Sequence, residues 1–482
     1  MPAPRLPAGG ESSALSTIAQ SLSFHSSPHS FLTARQQTVD EAPEKSRPLV
    51  VRARILNRDV AVVASREHCV EILDVKVTSS ASSQSAQKSV VAARPGQNVG
   101  RGSFGVLPAY RELMADFFPQ PNLLLLDAPD HEFRRRCWDD HMAKVCHDSS
   151  ATIREIAVEE ISSWQAGAEV DLYDRMKDLA WRMLLAVFLQ LSRTDQAYQD
   201  VVAWQEELLR GQFSLFPVSI RTPFWRSPRS RGLNARRKLQ EELKKHVDAL
   251  QPQCPFHCPG ETIGRDELAS NALLFTSSIA VKALASLLTA SLLNLYLFPS
   301  SPSLAHRARE LDPDGRGTFV RSILRETERL SPPVIGVMRR VQQDVVLQQS
   351  CQGEDPGILI PTGWDAWLYF VGANRNESIY NEACSFVPER FAAESGAPPT
   401  LTFGFGDKSC LGRDISRQIV QTVTTVMLDA GIDLHGAVVS EGVRGWLGWD
   451  SQVPVESMAR DLKQLPCQRP RKPIILRVSR NE

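Results

Sequence analysis

The sequence predicts a mainly α fold, a large helical body carrying a small β-sheet region. Three observations point there. Apolar residues recur at three- and four-residue steps through most of residues 107–300, the period of a helix with one buried face. Alternation of apolar and polar residues is confined to short stretches near 48–70, 336–370 and the C-terminus, the period of half-buried strands. A hydrophobic fraction of 42% over 482 residues, with no internal repeat, is enough for one substantial core.

The elements follow in order. Residues 1–48 are rich in Ser, Pro and Gln and are expected to be a disordered or peripheral leader to a single domain over 49–482. Residues 48–70 read as a hairpin, and the Ser-, Ala-, Gln- and Gly-rich stretch 76–103 as a loop. Helical periodicity covers 152–166, 173–192, 199–211 and 232–250. One long apolar helix is predicted from Glu267 to Leu297, stopped by Pro299. Helices at 304–311 and 316–330 precede strands at 336–348, 357–361 and 364–370. The last long helix runs from Leu411 to Gly431, and residues 473–478 form a closing strand.

Composition narrows the function classes. A net charge of +0 argues against nucleic acid as the main partner. Nine cysteines at scattered spacing argue for a reducing compartment rather than a disulfide framework. Cys254 and Cys258 flank His257, but no second pair follows at zinc spacing, so this segment reads as a loop. No N-terminal run is long and apolar enough to span a bilayer. The expected location is cytoplasmic, or peripherally attached to the endoplasmic reticulum.

Chemistry concentrates at Cys410, in Thr402-Phe403-Gly404-Phe405-Gly406-Asp407-Lys408-Ser409-Cys410-Leu411-Gly412-Arg413. A helix mouth offers unsatisfied N–H donors and partial positive charge, which favour thiolate over thiol. Gly406 permits a tight turn with positive φ, and Gly412 permits close approach of a flat ring to the backbone. A large ring against one thiolate implies haem with sulfur as axial ligand to iron.

The pattern Phe403-x-x-Gly406-x-Lys408-x-Cys410-x-Gly412 resembles the haem-binding loop of the cytochrome P450 superfamily, with Lys408 where that family usually has Arg or His. Further landmarks fall in the expected order. Glu326 and Arg329 are three apart on one helix face, and Arg390 follows in Pro388-Glu389-Arg390-Phe391. By resemblance these three form a buried network with a structural role. His131 and Arg135, four apart after Asp127-Ala128-Pro129, share a helical face and by resemblance bind the haem propionates. Arg339 matches another propionate-binding position, with Arg340 as the register alternative, and Phe403, Gly404, Lys408 and Gly412 complete the haem contacts implied. Phe213–Pro217, Gly232–Arg237 and Pro332-Pro333-Val334 look like the branch of retinoic-acid hydroxylases and plant terpenoid oxidases. Residues 213–230 mix Phe, Trp225 and several Arg, which suits either a solvated loop or a lid at a membrane surface.

One part of the pattern breaks. The helix crossing the oxygen-binding face usually carries an acid followed by Thr, which relay protons there. Here the aligned stretch is Thr276-Ser277-Ser278-Ile279-Ala280-Val281, with Ile279 at the acid position and Ala280 at the Thr position, and no acid lies between Glu267 and Leu297. An apolar pair cannot relay a proton. Thr276, Ser277 and Ser278 could hold a substitute water, although helical serines usually satisfy their own backbone.

The resemblance implies a haem b monooxygenase that inserts one oxygen atom from O2 into a small apolar substrate, such as a terpenoid or other secondary metabolite. Ile279, Ala280, Val334 and Ile335 are candidate pocket walls. Electrons would come from NADPH through a separate flavoprotein reductase, with Lys408, Arg413 and Arg417 as candidate contacts, and the protein is expected to be a monomer. Two alternatives remain open. One is a peroxide-dependent or O2-independent haem-thiolate enzyme. The other is a non-catalytic haem-binding protein.

Overall fold

A computed structural model describes residues 6–7, 19–38, 50–74, 103–347, 357–439, 451–452 and 462–480, apart from residues 22, 25, 56–57, 215–217, 223, 253, 258–262 and 393–395. Most of the expected leader and of the 76–103 loop lies outside the described residues.

Helices α1 (Pro28–Thr38) and α2 (Arg66–Leu73) bracket the hairpin β1 (Val50–Ile55) and β2 (Arg58–Val63). After the short strand β3 (Phe104–Gly105) and the helix α3 (Val106–Tyr110) come α4 (Asp130–Asp148) and α5 (Ser150–Ser162). The body continues through β4 (Glu169–Asp171), α6 (Leu172–Leu189), α7 (Gln196–Gln212), α8 (Pro228–Ala249), α9 (Arg265–Phe275) and α10 (Ser278–Leu297). Helices α11 (Leu304–Glu310) and α12 (Pro313–Leu330) lead into strands β5 (Gly336–Val341), β6 (Val345–Leu347), β7 (Ile358–Ile360) and β8 (Asp365–Tyr369). The chain closes with α13 (Arg413–Asp429), β9 (Ile432–Val439), β10 (Ser451–Gln452) and β11 (Ile474–Arg480).

The main sheet has the order β1-β2-β8-β5-β3, with β2 and β8 parallel and the other pairs antiparallel. A second sheet, β10-β9-β11-β4, ties the C-terminus to the start of α6. The largest apolar cluster lies among α4 to α13, with Trp138, Phe188, Phe256 and Leu288 buried in it. A second cluster joins one face of the main sheet to Leu73, Leu401 and the partly buried Phe405, and so supports the cysteine loop. A third covers the other face, where Phe24, Phe31 and Leu32 meet Trp367 and Tyr369. Ile335 is buried in this third cluster, so it is core beneath the N-terminal helix rather than the pocket wall expected for it.

The predicted helix over Glu267–Leu297 is two helices. Thr276 and Ser277 interrupt it, and Ser277 takes an extended conformation (φ −68°, ψ 150°) whose hydroxyl accepts the Ala280 N–H at 3.2 Å. The apolar pattern is interrupted there only by the three polar residues Thr276, Ser277 and Ser278, too short a run to end a helix by periodicity alone. The local reason is an N-cap serine starting a new helix. Among the described residues α10 alone is long and apolar enough to cross a membrane, yet most of it is buried inside the protein. A helix apolar all round is a core helix when it is enclosed.

Candidate haem-thiolate site

The cysteine loop is built by backbone hydrogen bonds. Gly404 N–H donates to Leu401 O at 2.8 Å, Ser409 N–H to Gly406 O at 3.0 Å, and Cys410 N–H to Phe403 O at 2.7 Å. Gly404 and Gly406 both have positive φ, +74° and +66°. A Cβ on Gly406 would also lie 2.9 Å from the Leu73 carbonyl oxygen, so only glycine lets the loop pack on the end of α2. The thiol sits at the mouth of α13, facing a groove of about 390 Å³ between that helix and α4. Gly412 does not need its conformational freedom, with φ −85°. A Cβ there would meet nothing nearer than Cys410 Sγ at 3.9 Å, so the space beside the sulfur is open.

The electrostatics differ from the helix-mouth expectation. Burial pushes the Cys410 thiol up, against the Gly412 N–H and the Arg135 and Arg413 charges that pull it down. The groove admits solvent to a sulfur otherwise crowded by protein. The helix start alone therefore does not make a thiolate; a coordinated metal deprotonates such a thiol outright.

The basic residues converge as expected. Burial drives the His131 imidazole down to about 3, helped by Lys408, Arg135 and Arg339. Burial brings the Lys408 ammonium to about 7, Asp127 opposing and Arg339 and Arg135 reinforcing. Arg339 is lowered by burial too. The register question is settled by strand alternation: Arg339 turns toward this cluster, while Arg340 pairs with Asp365 at 2.7 Å on the opposite side. Asp127 is engaged elsewhere, accepting the Val106 and Leu107 N–H groups at 3.0 and 3.2 Å. Lys408 Nζ reaches the Leu126 carbonyl oxygen. Arg135 clasps the loop, donating to Asp407 O and Ser409 O, both at 2.6 Å, and pairing with Asp139 at 2.7 Å. His131, Arg135, Arg339 and Lys408 thus form one basic cluster, and its member Arg135 also lines the groove at Cys410. They fit the two propionates of haem, with Cys410 as iron ligand.

The Glu326–Arg329–Arg390 network is complete. Arg329 forks onto Glu326 at 2.7 and 2.8 Å and donates to the carbonyls of Asn374 (3.0 Å), Ala383 (2.5 Å) and Ser385 (2.9 Å). Val387 N–H donates to Glu326 at 2.9 Å, and Arg390 lies 3.4 Å from the same carboxylate. Arg329 also stacks on the Tyr380 ring at 5.0 Å. Glu326 and Arg329 are both 0% exposed. Every guanidinium donor is used, the condition for a charge to be tolerated in the interior.

On the oxygen-face segment the hydroxyls are all engaged. Thr276 donates to Ala272 O at 2.8 Å, Ser277 caps α10, and Ser278 donates to Glu206 at 2.7 Å. Glu206 also receives Lys282 at 2.8 Å, which links α7 to α10. Ile279 and Ala280 are half-buried, and Ala280 lies at the margin of the main apolar cluster. The substitute relay through these hydroxyls is therefore not free to operate as drawn from sequence.

Two expected partner contacts are corrected. Lys408 points inward, and Arg417 forms a bidentate pair with buried Glu328 at 2.6 and 2.8 Å. Arg413 remains at the groove but pairs with Asp414 at 2.8 Å, as Arg135 does with Asp139, so charge around the thiol is balanced rather than basic. Sequence reading missed Glu328, Asn374 and Thr402. Asn374 Oδ1 accepts Leu401 N–H at 2.9 Å, its Nδ2 donates to Thr402 at 3.2 Å, and Thr402 donates to Glu328 O at 2.5 Å. The signal for Glu328 was present: it lies four residues after Leu324, on the buried face of α12.

The cytochrome P450 family profile matches residues 317–430, which span the network and the loop just described. A probable cytochrome P450 of Dictyostelium discoideum is 23% identical over 62% of this chain and 60% of its own length. Cytochrome P450 26C1 of Mus musculus is 26% identical over 56% of this chain and 59% of its own. A retinoic-acid-bound cyanobacterial CYP120A1 superposes over 100% of both chains with a TM-score of 0.71 at 18% identity. Residues 317–430 thus match the cytochrome P450 family, and the chain has the cytochrome P450 fold. The family's prosthetic group is haem, and His131, Arg135, Arg339, Lys408 and Cys410 are the residues that would hold it.

Proposed function

We propose that this protein is a haem-thiolate oxidoreductase, and that its reaction is the insertion of one oxygen atom into a small apolar substrate. The carrying observation is that Arg135 joins the basic cluster of His131, Arg339 and Lys408 to the loop that presents Cys410. Haem, when bound, supplies the oxygen-activating redox chemistry. The chain's own work is to hold Cys410 as ligand, to fix the loop through Arg135, Thr402 and Asn374, and to neutralise two carboxylates. Retinoic acid in the cyanobacterial structure, and the name of an Arabidopsis thaliana relative, 3-epi-6-deoxocathasterone 23-monooxygenase, support an apolar terpenoid-like substrate. NADPH would act through a separate flavoprotein reductase. Val218, Ile220, Trp225 and the 99% exposed Phe224, interleaved with Arg221 and Arg226, suit peripheral contact with a membrane surface.

A second reading, peroxide-driven or O2-independent turnover, is favoured by one observation. Neither Ile279 nor Ala280 can pass a proton, and the neighbouring hydroxyls are occupied. The test has two parts. Purified protein should show a Soret band whose reduced carbonyl complex lies where thiolate ligation puts it; an imidazole- or thiol-type band sinks the assignment. Product formation with reductase and NADPH is then compared with hydrogen peroxide alone, and product from peroxide only selects the second reading.

A further inference from the structure

One of the two residues between Glu326 and Arg329 is itself a buried acid. Glu328 is 0% exposed, one turn after Leu324 on the buried face of α12. Arg417 of α13 takes its carboxylate in a fork at 2.6 and 2.8 Å, and Arg325 lies 3.4 Å away at the rim. Burial pushes this carboxyl up, to about 8, with Arg325 and Arg413 pulling it down; the two-point fork from Arg417 is a geometry that favours the anion. Stability does not call for such a pair. Replacing a buried ion pair with well-packed apolar residues is often neutral or stabilising.

What the pair touches leads to the sulfur. The Arg417 guanidinium stacks on the Phe403 ring at 5.1 Å. The Phe403 carbonyl accepts the Cys410 amide at 2.7 Å. On the same side, the Glu328 carbonyl receives Thr402 Oγ1 at 2.5 Å. The fork and the backbone of one residue therefore grip two successive loop residues, one of them bonded to the cysteine. The remaining charges nearby, Arg413 and Asp414, pair with each other at 2.8 Å. Without Glu328, Arg417 would stand as an uncompensated cation on the thiolate side.

We propose that the Glu328–Arg417 pair is a positioning and charge-setting element for Cys410, fixing the Phe403 end of the loop and cancelling a cation that would otherwise stabilise the sulfur anion. The proposal rests on the haem-thiolate reading. A cation left near the sulfur weakens electron donation to iron and favours the reduced state.

The test begins with the unaltered protein. If it lacks a thiolate-type reduced carbonyl band, the functional reading fails and the pair is not at issue. If the band is present, the midpoint potential is measured by dithionite titration. Glu328→Gln should retain haem and shift the ferric–ferrous equilibrium about tenfold toward ferrous, ~59 mV for one electron. Glu328→Gln combined with Arg417→Gln should return to the starting potential. An unchanged potential and carbonyl band in haem-bound Glu328→Gln overturns the proposal, as does a double variant that stays shifted. Should Glu328→Gln fail to retain haem, the double variant decides. Recovered haem at the original potential supports charge cancellation, and loss in both overturns it.

Discussion

The two sides of the site are built on opposite terms. The thiolate side is fixed by charges and backbone: Glu326, Arg329 and Arg390 lock the segment behind the loop, and Arg135, Thr402 and Asn374 hold the loop itself. The oxygen-face segment is a helix interrupted at Thr276–Ser277, with its hydroxyls tied to its own backbone or to Glu206. The first arrangement over-determines one geometry. The second leaves apolar Ile279 and Ala280 where proton relay would be expected. The difference teaches that one loop can be fixed by buried charges while the helix segment at 276–281 carries only apolar side chains and hydroxyls already engaged.

Cys410→Ser should have the largest effect, with complete loss of the thiolate-type reduced carbonyl band. An unaltered spectrum would remove the thiolate side from the comparison. Glu326→Ala comes next. It leaves Arg329 buried without its carboxylate, and removing one partner of a buried pair costs about 3–5 kcal/mol. Urea denaturation should read that loss together with failure of haem incorporation.

A pH effect should arise from the scaffold between the two sides. His141 is buried beside Trp138 and Phe256, and burial, with the Lys144 charge, drives its imidazole down to about 4. Its folded-state value lies below the ordinary 6.5, so in that window the unfolded chain binds a proton the folded chain does not. Stability should therefore fall as pH drops from about 6.5 toward 4, by roughly 2–3 kcal/mol. His141→Gln should flatten this slope in acid-denaturation profiles.

The smaller effects belong to the oxygen-face segment. Ser277→Ala removes the cap of α10 and should cost about 1 kcal/mol in thermal or urea unfolding with the haem spectrum unmoved. A spectral change would show that the break is coupled to the thiolate side. Ala280→Thr should alter the ratio of product formed to NADPH consumed with little change in stability. If that ratio and the product pattern both stay constant, Ala280 does not face the reacting oxygen.

The cysteine loop and the Glu326–Arg329 pair were legible because their spacing is local: Gly406, Cys410 and Gly412 define one turn, and residues three apart share a helix face. The order and type of the main elements were legible through periodicity, from the hairpin at β1 and β2 to the last helix α13. The Thr276–Ser277 break was not, since a polar run of three residues is compatible with one continuous helix and a cap depends on backbone dihedrals. The places of Arg417 and Ile335 were not legible either. One is paired with an acid eighty-nine residues away, and the other lies under an N-terminal helix.

The sequence by itself determined the glycine-turned cysteine loop and the Glu326–Arg329 pair, because those rest on side-chain chemistry at short separations. Tertiary structure decided which charges face one another: Arg339 rather than Arg340 toward the basic cluster, Glu328 onto Arg417, Glu206 onto Ser278 and Lys282. These are meetings of distant segments. Burial and the packing of one helix on another set them, and no local period encodes them.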